Sequence, residues 1–260
     1  VLVSEVMLQQ TQADRVVPYY RDFLAAFPTP TACAGAGAAA VVRAWSGLGY
    51  NRRALNLHRA ATVMVAEHQG HVPSDEGALR ALPGVGPYTA NAIRSFAYGA
   101  DVATVDVNAV RVLARSMHGA GLTVPEAQAL ADRLLPAGRS WDFNQTMFDL
   151  GATVCLPRPR CGQCPLLRMC RWHQSGLDQP DPWRASPSSR PQSPFAGSDR
   201  QGRGRLVQAL RTAAVAASDL GPACGWPDEP DRADRIAADL VAEGFARWSP
   251  RSPRRLQLCR

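Results

Sequence analysis

Leu82-Pro83-Gly84-Val85-Gly86-Pro87-Tyr88-Thr89-Ala90 is the stretch on which the reading of this chain turns. Two glycines two residues apart allow a tight hairpin with its backbone amides exposed. The run Thr89-Ala90-Asn91-Ala92-Ile93 then starts a helix, whose first amides also face outward and can hold an anion. Such a hairpin grips a phosphate without a side-chain charge, which makes Leu82, Gly84, Val85 and Gly86 candidate DNA contacts. A plain connection between two helices uses the same residue types. The complete LPGVG run with a helix behind it favours the phosphate-binding reading.

Outward from the hairpin, residues 1–173 read as mostly helical. Apolar residues recur at helical spacing in Val3, Val6 and Met7, and again in Leu55, Leu57, Ala61, Met64 and Val65. Breakers separate these segments at Pro28-Thr29-Pro30, Gly47-Leu48-Gly49 and Pro83-Gly84-Val85-Gly86, and no alternating strand pattern appears. Residues 174–197 are rich in proline, serine and polar side chains and read as a linker. In 198–260, Leu206, Val207 and Leu210 mark one helical face, and Ile236, Leu240, Val241 and Phe245 another. Ala246–Trp248 and Arg255–Leu258 suit a two-stranded wing, so this part is expected to be a small winged-helix-like module.

The chain has 260 residues, 46% of them hydrophobic, enough for one large or two modest domains. No run approaches the roughly 18 apolar residues a membrane helix needs, and no signal peptide opens the sequence. No membrane partner is expected, and the expected location is the cytoplasm, with the nucleoid. The formal charge of +7 permits a polyanionic partner. All 29 basic residues are arginine, and without lysine an enzyme-derived Schiff base lacks its usual amine.

Four of the seven cysteines, Cys155, Cys161, Cys164 and Cys170, fall within sixteen residues; Cys33, Cys224 and Cys259 are scattered. An odd total with one dense cluster argues for a metal site in a reducing compartment rather than a secreted disulfide framework. Four thiolates on one short loop suit a [4Fe-4S] cluster, with zinc as the alternative. Arg158, Arg160, Arg168 and Arg171 lie around them and could present positive charge to a DNA backbone.

Hairpin, cysteine loop and the opening Ser4-Glu5-Val6-Met7-Leu8-Gln9-Gln10-Thr11-Gln12 together resemble the MutY-type adenine DNA glycosylases, relatives of endonuclease III. Trp45-Ser46-Gly47-Leu48-Gly49-Tyr50 resembles that family's WxGLGY loop. Val105–Arg115 resembles its DxNVxRVLxR segment, and Phe143–Ala152 its FNQxxxDLGA helix. The resemblance covers residues 1–172, about two-thirds of the chain. It implies a mainly α, helix-hairpin-helix DNA glycosylase fold: a six-helix barrel lobe and an iron–sulfur cluster lobe with DNA across the cleft. Glu5 and Asp106 would face the flipped base from opposite sides of that cleft.

Cleaving the N-glycosidic bond of adenine calls for an acid at the leaving base and a carboxylate at the developing oxocarbenium ion. Glu5, among Val3, Val6, Met7 and Leu8, is placed where partial desolvation would favour the acid form. Asp106 lies just before a helix, where amide donors would keep it ionised. The resemblance assigns these same roles, with Glu5 protonating the adenine ring and Asp106 stabilising C1′ or bonding to it transiently. Taken singly, Glu5 also reads as a helix-surface residue and Asp106 as a helix cap.

Bifunctional relatives that nick the backbone carry lysine where this chain has Tyr88, so a monofunctional enzyme is expected. Tyr88 would then be a hydrogen-bonding group near the sugar or a pocket wall. The resemblance implies that Tyr50 wedges into the base stack near the oxidised guanine, with Gln9, Gln10 and Thr11 on the minor-groove side. Asp149 would read the adenine edge, and Asn108 and Gln145 would hydrogen-bond behind the site. Arg52 and Arg53 suit phosphate contact or a solvated face.

Three features depart from the family pattern. The first two cysteines are separated by five residues where the family usually has six. The family's arginine and tryptophan contacts to the adenine pocket would precede Val1. Residues 198–260 look too short and too different for the nucleotide-pool-hydrolase-like domain with which many members recognise 8-oxoguanine. The expected substrate is double-stranded DNA with adenine opposite 8-oxoguanine or guanine, bound by a monomer in base excision repair. The alternatives are a mismatch-specific thymine or uracil glycosylase, and a non-catalytic iron–sulfur DNA-binding protein or redox sensor.

Overall fold

A computed structural model of the chain describes residues 1–176, 179–190, 193–250 and 252–259. Positions 177, 178, 191 and 192 of the expected linker, and 251 and 260 of the expected C-terminal module, lie outside the described residues. The backbone is mainly helical, and before Val215 the described residues contain no strand. Two compact units are distinguished: residue 1 with 74–76 and 86–192, and residues 2–73 with 77–85 and 193–260.

In the first unit, the helices Val107–Leu113 and Ser140–Asp149 share one apolar core. Val110, Leu113, Met147 and Leu150 pack there with Ala103, Val105 and Leu122. Each helix runs on into a wider π-type turn, Ala114–His118 and Leu150–Val154. Helix Val124–Leu134 begins in a capping box, Thr123 and Glu126 satisfying each other's backbone amides. The helix Pro87–Tyr98 carries proline in its first turn, where no amide hydrogen bond is lost, and ends on the left-handed Gly99.

In the second unit, the helices Leu2–Leu8, Ala13–Ala26 and Arg52–Glu67 bury Met7, Phe23, Leu57 and Met64 at helical spacing. Trp45 is fully buried, its ring edge-on to Phe23 at 5.9 Å. The C-terminal residues supply the helices Asp199–Thr212, Leu220–Cys224 and Pro230–Ala242. They also supply three short antiparallel strands, β1 (Val215–Ala216), β2 (Ala246–Trp248) and β3 (Arg255–Leu258), in the order β1-β3-β2. Alternation along β3 buries Leu256 and Leu258 among the apolar residues of this unit. Arg211 ties this part to the unit's N-terminal residues, donating to the Val42 carbonyl at 3.1 Å and to Asn51 Oδ1 at 2.7 Å.

Candidate functional site

The hairpin is built by local hydrogen bonds. The amide of Leu82 donates to the Leu79 carbonyl and that of Val85 to the Leu82 carbonyl, both at 3.1 Å. Leu82 and Val85 are buried, while Gly84 and Gly86 are exposed. Gly84 has φ +82°, and a Cβ there would stand 2.8 Å from Asn56 Cβ. Gly84→Ala is therefore expected to cost about 1–2 kcal/mol from the left-handed backbone alone. A chemical denaturation midpoint equal to wild type would contradict that account of the hairpin.

Gly86 caps the helix Pro87–Tyr98 in extended conformation, and Ala90 donates to its carbonyl at 2.9 Å. On the first turn of this helix Tyr88 is half-buried, its ring 6.3 Å from that of Phe148.

Asp106 is the N-cap of the helix Val107–Leu113. Its Oδ1 accepts from the Ala109 amide at 2.7 Å and its Oδ2 from Asn108 Nδ2 at 2.8 Å. Both carboxylate oxygens thus have a donor, which fixes the orientation of the side chain at the helix start. Asn108 is held in turn, because its Oδ1 accepts from Arg111 Nη2 at 2.8 Å. Arg111 also donates to the carbonyls of Gly151, at 2.8 Å, and Cys155, at 2.6 Å. A Cβ at Gly151 would meet Asn108 Cβ at 2.8 Å, so glycine is what lets the two segments approach. From Asp106 to the first cysteine, every link is a hydrogen bond. Gln145 is half-buried on the helix Ser140–Asp149, and Asp149 is exposed at its end.

Cys155, Cys161, Cys164 and Cys170 line one cavity, together with Leu150, Val154, Leu166 and Trp172. Among the described residues, no three His, Cys, Asp or Glu side chains meet at a single-ion site. Arg115 Nη1 lies 3.5 Å from Cys155 Sγ, and the Cys170 thiol donates to the Arg115 carbonyl at 3.4 Å. The remaining cysteines differ. Cys33 and Cys224 are buried, and burial pushes both thiols up to about 11, so they remain protonated packing residues.

In the other unit, Glu5 sits half-buried on Leu2–Leu8, between the buried Leu2 and the buried Val6 and Met7. Gln9, Gln10, Thr11 and Tyr50 line a common groove. Gln10 and Tyr50 have φ of +57° and +44°, backbone values that non-glycine residues adopt at a cost and that concentrate at functional positions. Tyr50 is 48% exposed, so it is no core aromatic.

The chain as a whole is similar to known proteins. Residues 3–135 match the HhH-GPD superfamily base excision DNA repair protein family. An adenine DNA glycosylase of Mycolicibacterium smegmatis is 40% identical over 249 residues, which are 94% of this chain and 83% of the relative. One from Mycobacterium tuberculosis is 43% identical over 251 residues, 94% of this chain and 81% of the relative. The chain belongs to the adenine DNA glycosylase family. Among solved structures, a thermostable thymine-DNA glycosylase shares 29% identity and a TM-score of 0.62, covering 67% of this chain and 83% of its own. The helix-hairpin-helix glycosylase fold expected from the sequence is the fold of this family member.

The sequence reading of Arg53 as a phosphate contact or a solvated residue is corrected by the structure. Arg53 is buried. Its Nη1 donates to the carbonyls of Val6 at 2.9 Å, Met7 at 2.8 Å and Gln9 at 2.5 Å. Its Nη2 reaches Thr11 Oγ1 at 3.1 Å and the Leu48 carbonyl at 3.2 Å. The guanidinium lies 5.4 Å from the rings of both Trp45 and Tyr50. One side chain thus caps the end of the opening helix and fastens it to the Tyr50 loop. Burial pulls its pKa down to about 10, opposed by Tyr50, and it remains charged at neutral pH.

Two further residues, which the motifs contain but to which the sequence assigns no role, are placed by the structure. Asn144 is fully buried, accepting from the Thr104 amide at 2.8 Å and donating to the Val102 carbonyl and Ser95 Oγ at 3.0 Å. It pins the segment that leads into Asp106. Arg115, equally buried, pairs with Asp181 and donates to the Leu156 carbonyl at 2.6 Å. An available signal was the spacing of Arg111 and Arg115, one helical turn apart and flanked by Val110, Val112, Leu113 and Ala114. Arginine inside an apolar helical run has either a buried partner or no reason to be there.

Proposed function

We propose that this chain is a monofunctional DNA glycosylase that hydrolyses the N-glycosidic bond of adenine paired with 8-oxoguanine or guanine in double-stranded DNA. The observation that carries the reading is Asp106, a carboxylate with donors on both oxygens, oriented by Asn108. It is supported by relatives named adenine DNA glycosylase that match 94% of the chain.

Hydrolysis breaks the C1′–N bond, and the bond's electron pair leaves with the base. Glu5 gives a proton to the adenine ring, so the base departs neutral. Asp106 stabilises the oxocarbenium charge at C1′ or bonds to it transiently, and water supplies the oxygen that ends on the sugar, its released proton making good the one Glu5 gave up. Asn108 positions Asp106. Tyr88 stands where a lysine would make a Schiff base and cannot make one. Tyr50 enters the base stack, with Gln9, Gln10 and Thr11 beside it in the minor groove. Leu82, Gly84, Val85 and Gly86 hold a phosphate, Gln145 hydrogen-bonds behind the site, and Asp149 reads the adenine edge.

Cys155, Cys161, Cys164 and Cys170 would hold a [4Fe-4S] cluster. Four thiols lining one cavity supply the four thiolates that a [4Fe-4S] cluster takes, with a tetrahedral zinc as the alternative. When bound, the cluster cross-links the loop that carries Arg158, Arg160, Arg168 and Arg171. In organisation, residues 1–173 supply the chemistry and 174–197 connect them to a winged-helix-like part at 198–260. The protein acts as a monomer on nucleoid DNA in the cytoplasm.

The test is a duplex carrying one adenine opposite 8-oxoguanine. Free adenine is expected, with the strand broken only after alkali. Strand breakage without alkali, trapped by borohydride, would contradict the monofunctional assignment.

A further inference from the structure

The groove that Tyr50 lines has a second wall, contributed by residues far along the chain. Phe195, Arg200, Arg203 and Gly204, from the segment leading into and opening the helix Asp199–Thr212, face the same cavity of about 770 Å³. Among the described residues, its lining holds five arginines and no carboxylate. Arg53 is internal, and Arg203 shares Glu243 with Arg52, at 2.7 and 4.0 Å. Arg200 donates to the Ser193 carbonyl at 2.5 Å, and its guanidinium stands 6.0 Å from the Phe195 ring, which is 59% exposed. A positively charged groove with an exposed aromatic ring on each wall, Tyr50 and Phe195, has the make-up of a site for a nucleic-acid strand. Arginines take the phosphates and the rings take base faces.

We infer that this groove binds one phosphodiester strand, the one into which Tyr50 inserts, with Arg200 contacting a phosphate and Phe195 stacking on a base. The C-terminal segment thereby becomes part of the DNA interface through a groove it shares with the Tyr50 loop. The inference rests on the wedge reading of Tyr50.

Gly204 supplies the cleanest probe. An added Cβ there meets nothing within 4 Å, and glutamate raises helix propensity over glycine. Gly204→Glu therefore places a negative charge against the groove without disturbing the helix, and Gly204→Ala is the neutral control. Binding is read by fluorescence anisotropy on a duplex with one adenine:8-oxoguanine pair, across about 50–200 mM salt. Gly204→Glu and Arg200→Ala are each expected to weaken binding roughly tenfold, and Arg200→Ala to lower the salt slope by about one. Phe195→Ala is expected to weaken binding by a similar factor with the slope unchanged. Methylphosphonates flanking the 8-oxoguanine should abolish the Arg200→Ala effect, whereas the same change beside the adenine should leave it. Wild-type affinity and slope in all three variants would overturn the inference, as would an Arg200→Ala effect erased only by the adenine-strand change. Failure of the wild type to release adenine from the same duplex would instead count against the proposed function.

Discussion

Asp106→Asn is expected to lower the single-turnover rate of adenine release by about three orders of magnitude or more, while duplex affinity changes little. The size follows from what is removed. A preorganised charge at a developing cation is worth roughly 10²–10³ in rate, and the transient bond to C1′ is lost with it. The fold has little reason to change. Asparagine caps helices about as well as aspartate, so Oδ1 can still accept from the Ala109 amide. The new amide nitrogen faces Asn108 Nδ2, whose orientation Arg111 fixes through Asn108 Oδ1. That donor–donor contact costs about 1–3 kcal/mol, well short of unfolding a domain. A wild-type rate in Asp106→Asn would remove the residue from the chemistry. Loss of rate together with a melting temperature lowered by tens of degrees would reduce Asp106 to its cap.

Arg115→Ala is expected to give the largest loss of stability, on the order of 3–5 kcal/mol, because it leaves Asp181 half of a buried pair. Arg115 and Asp181 approach to 2.6 Å with side chains 2% and 11% exposed. The guanidinium also stands 5.0 Å from the Trp172 ring and 5.8 Å from that of Trp183, and it holds the carbonyls of Leu156 and Pro157 at 2.6 and 3.1 Å. One residue therefore fastens the start of the cysteine loop and the 181–185 turn to the helix that Asp106 caps. Burial raises the Asp181 carboxyl, but the hydrogen bond and charge of Arg115 outweigh it and hold the group below the usual carboxylate range. With the folded pKa depressed, this stabilisation is complete above the unfolded value of about 4. It is lost as pH falls through the lower folded value. Urea titrations at neutral pH should show the gap between wild type and Arg115→Ala, and the gap should close in acid. An unchanged midpoint would mean that the pair contributes nothing. The same variant should also retain less iron after purification.

Much of this was written openly in the sequence. The hairpin, the WSGLGY loop and the four-cysteine run are contiguous, so local spacing exposes them. Asp106 was legible as a cap because the residues after it form a helix with a clear apolar face. What stayed hidden was tertiary. Arg53 looks like any arginine opening a helix, and only the fold brings the carbonyls of Val6, Met7 and Gln9 to it from more than forty residues away. Asn144 sits one residue from Gln145 and shares its chemistry. Burial among Val102, Thr104 and Ser95 is what distinguishes them. The stretch 174–197 reads as linker by composition. Its Asp181 nevertheless neutralises a buried arginine, which a polar, proline-rich sequence gives no means of seeing. The groove wall at Phe195 and Arg200 was hidden for the same reason, since its partner loop lies about 150 residues earlier.

The central claim is that adenine is the base removed. The most direct measurement is a single-turnover assay of the full chain on four duplexes that differ only in one pair: A:8-oxoguanine, A:G, T:G and U:G. The account predicts release of adenine from the first two and no cleavage of the others. Activity confined to T:G or U:G, with both adenine duplexes left intact, would contradict it.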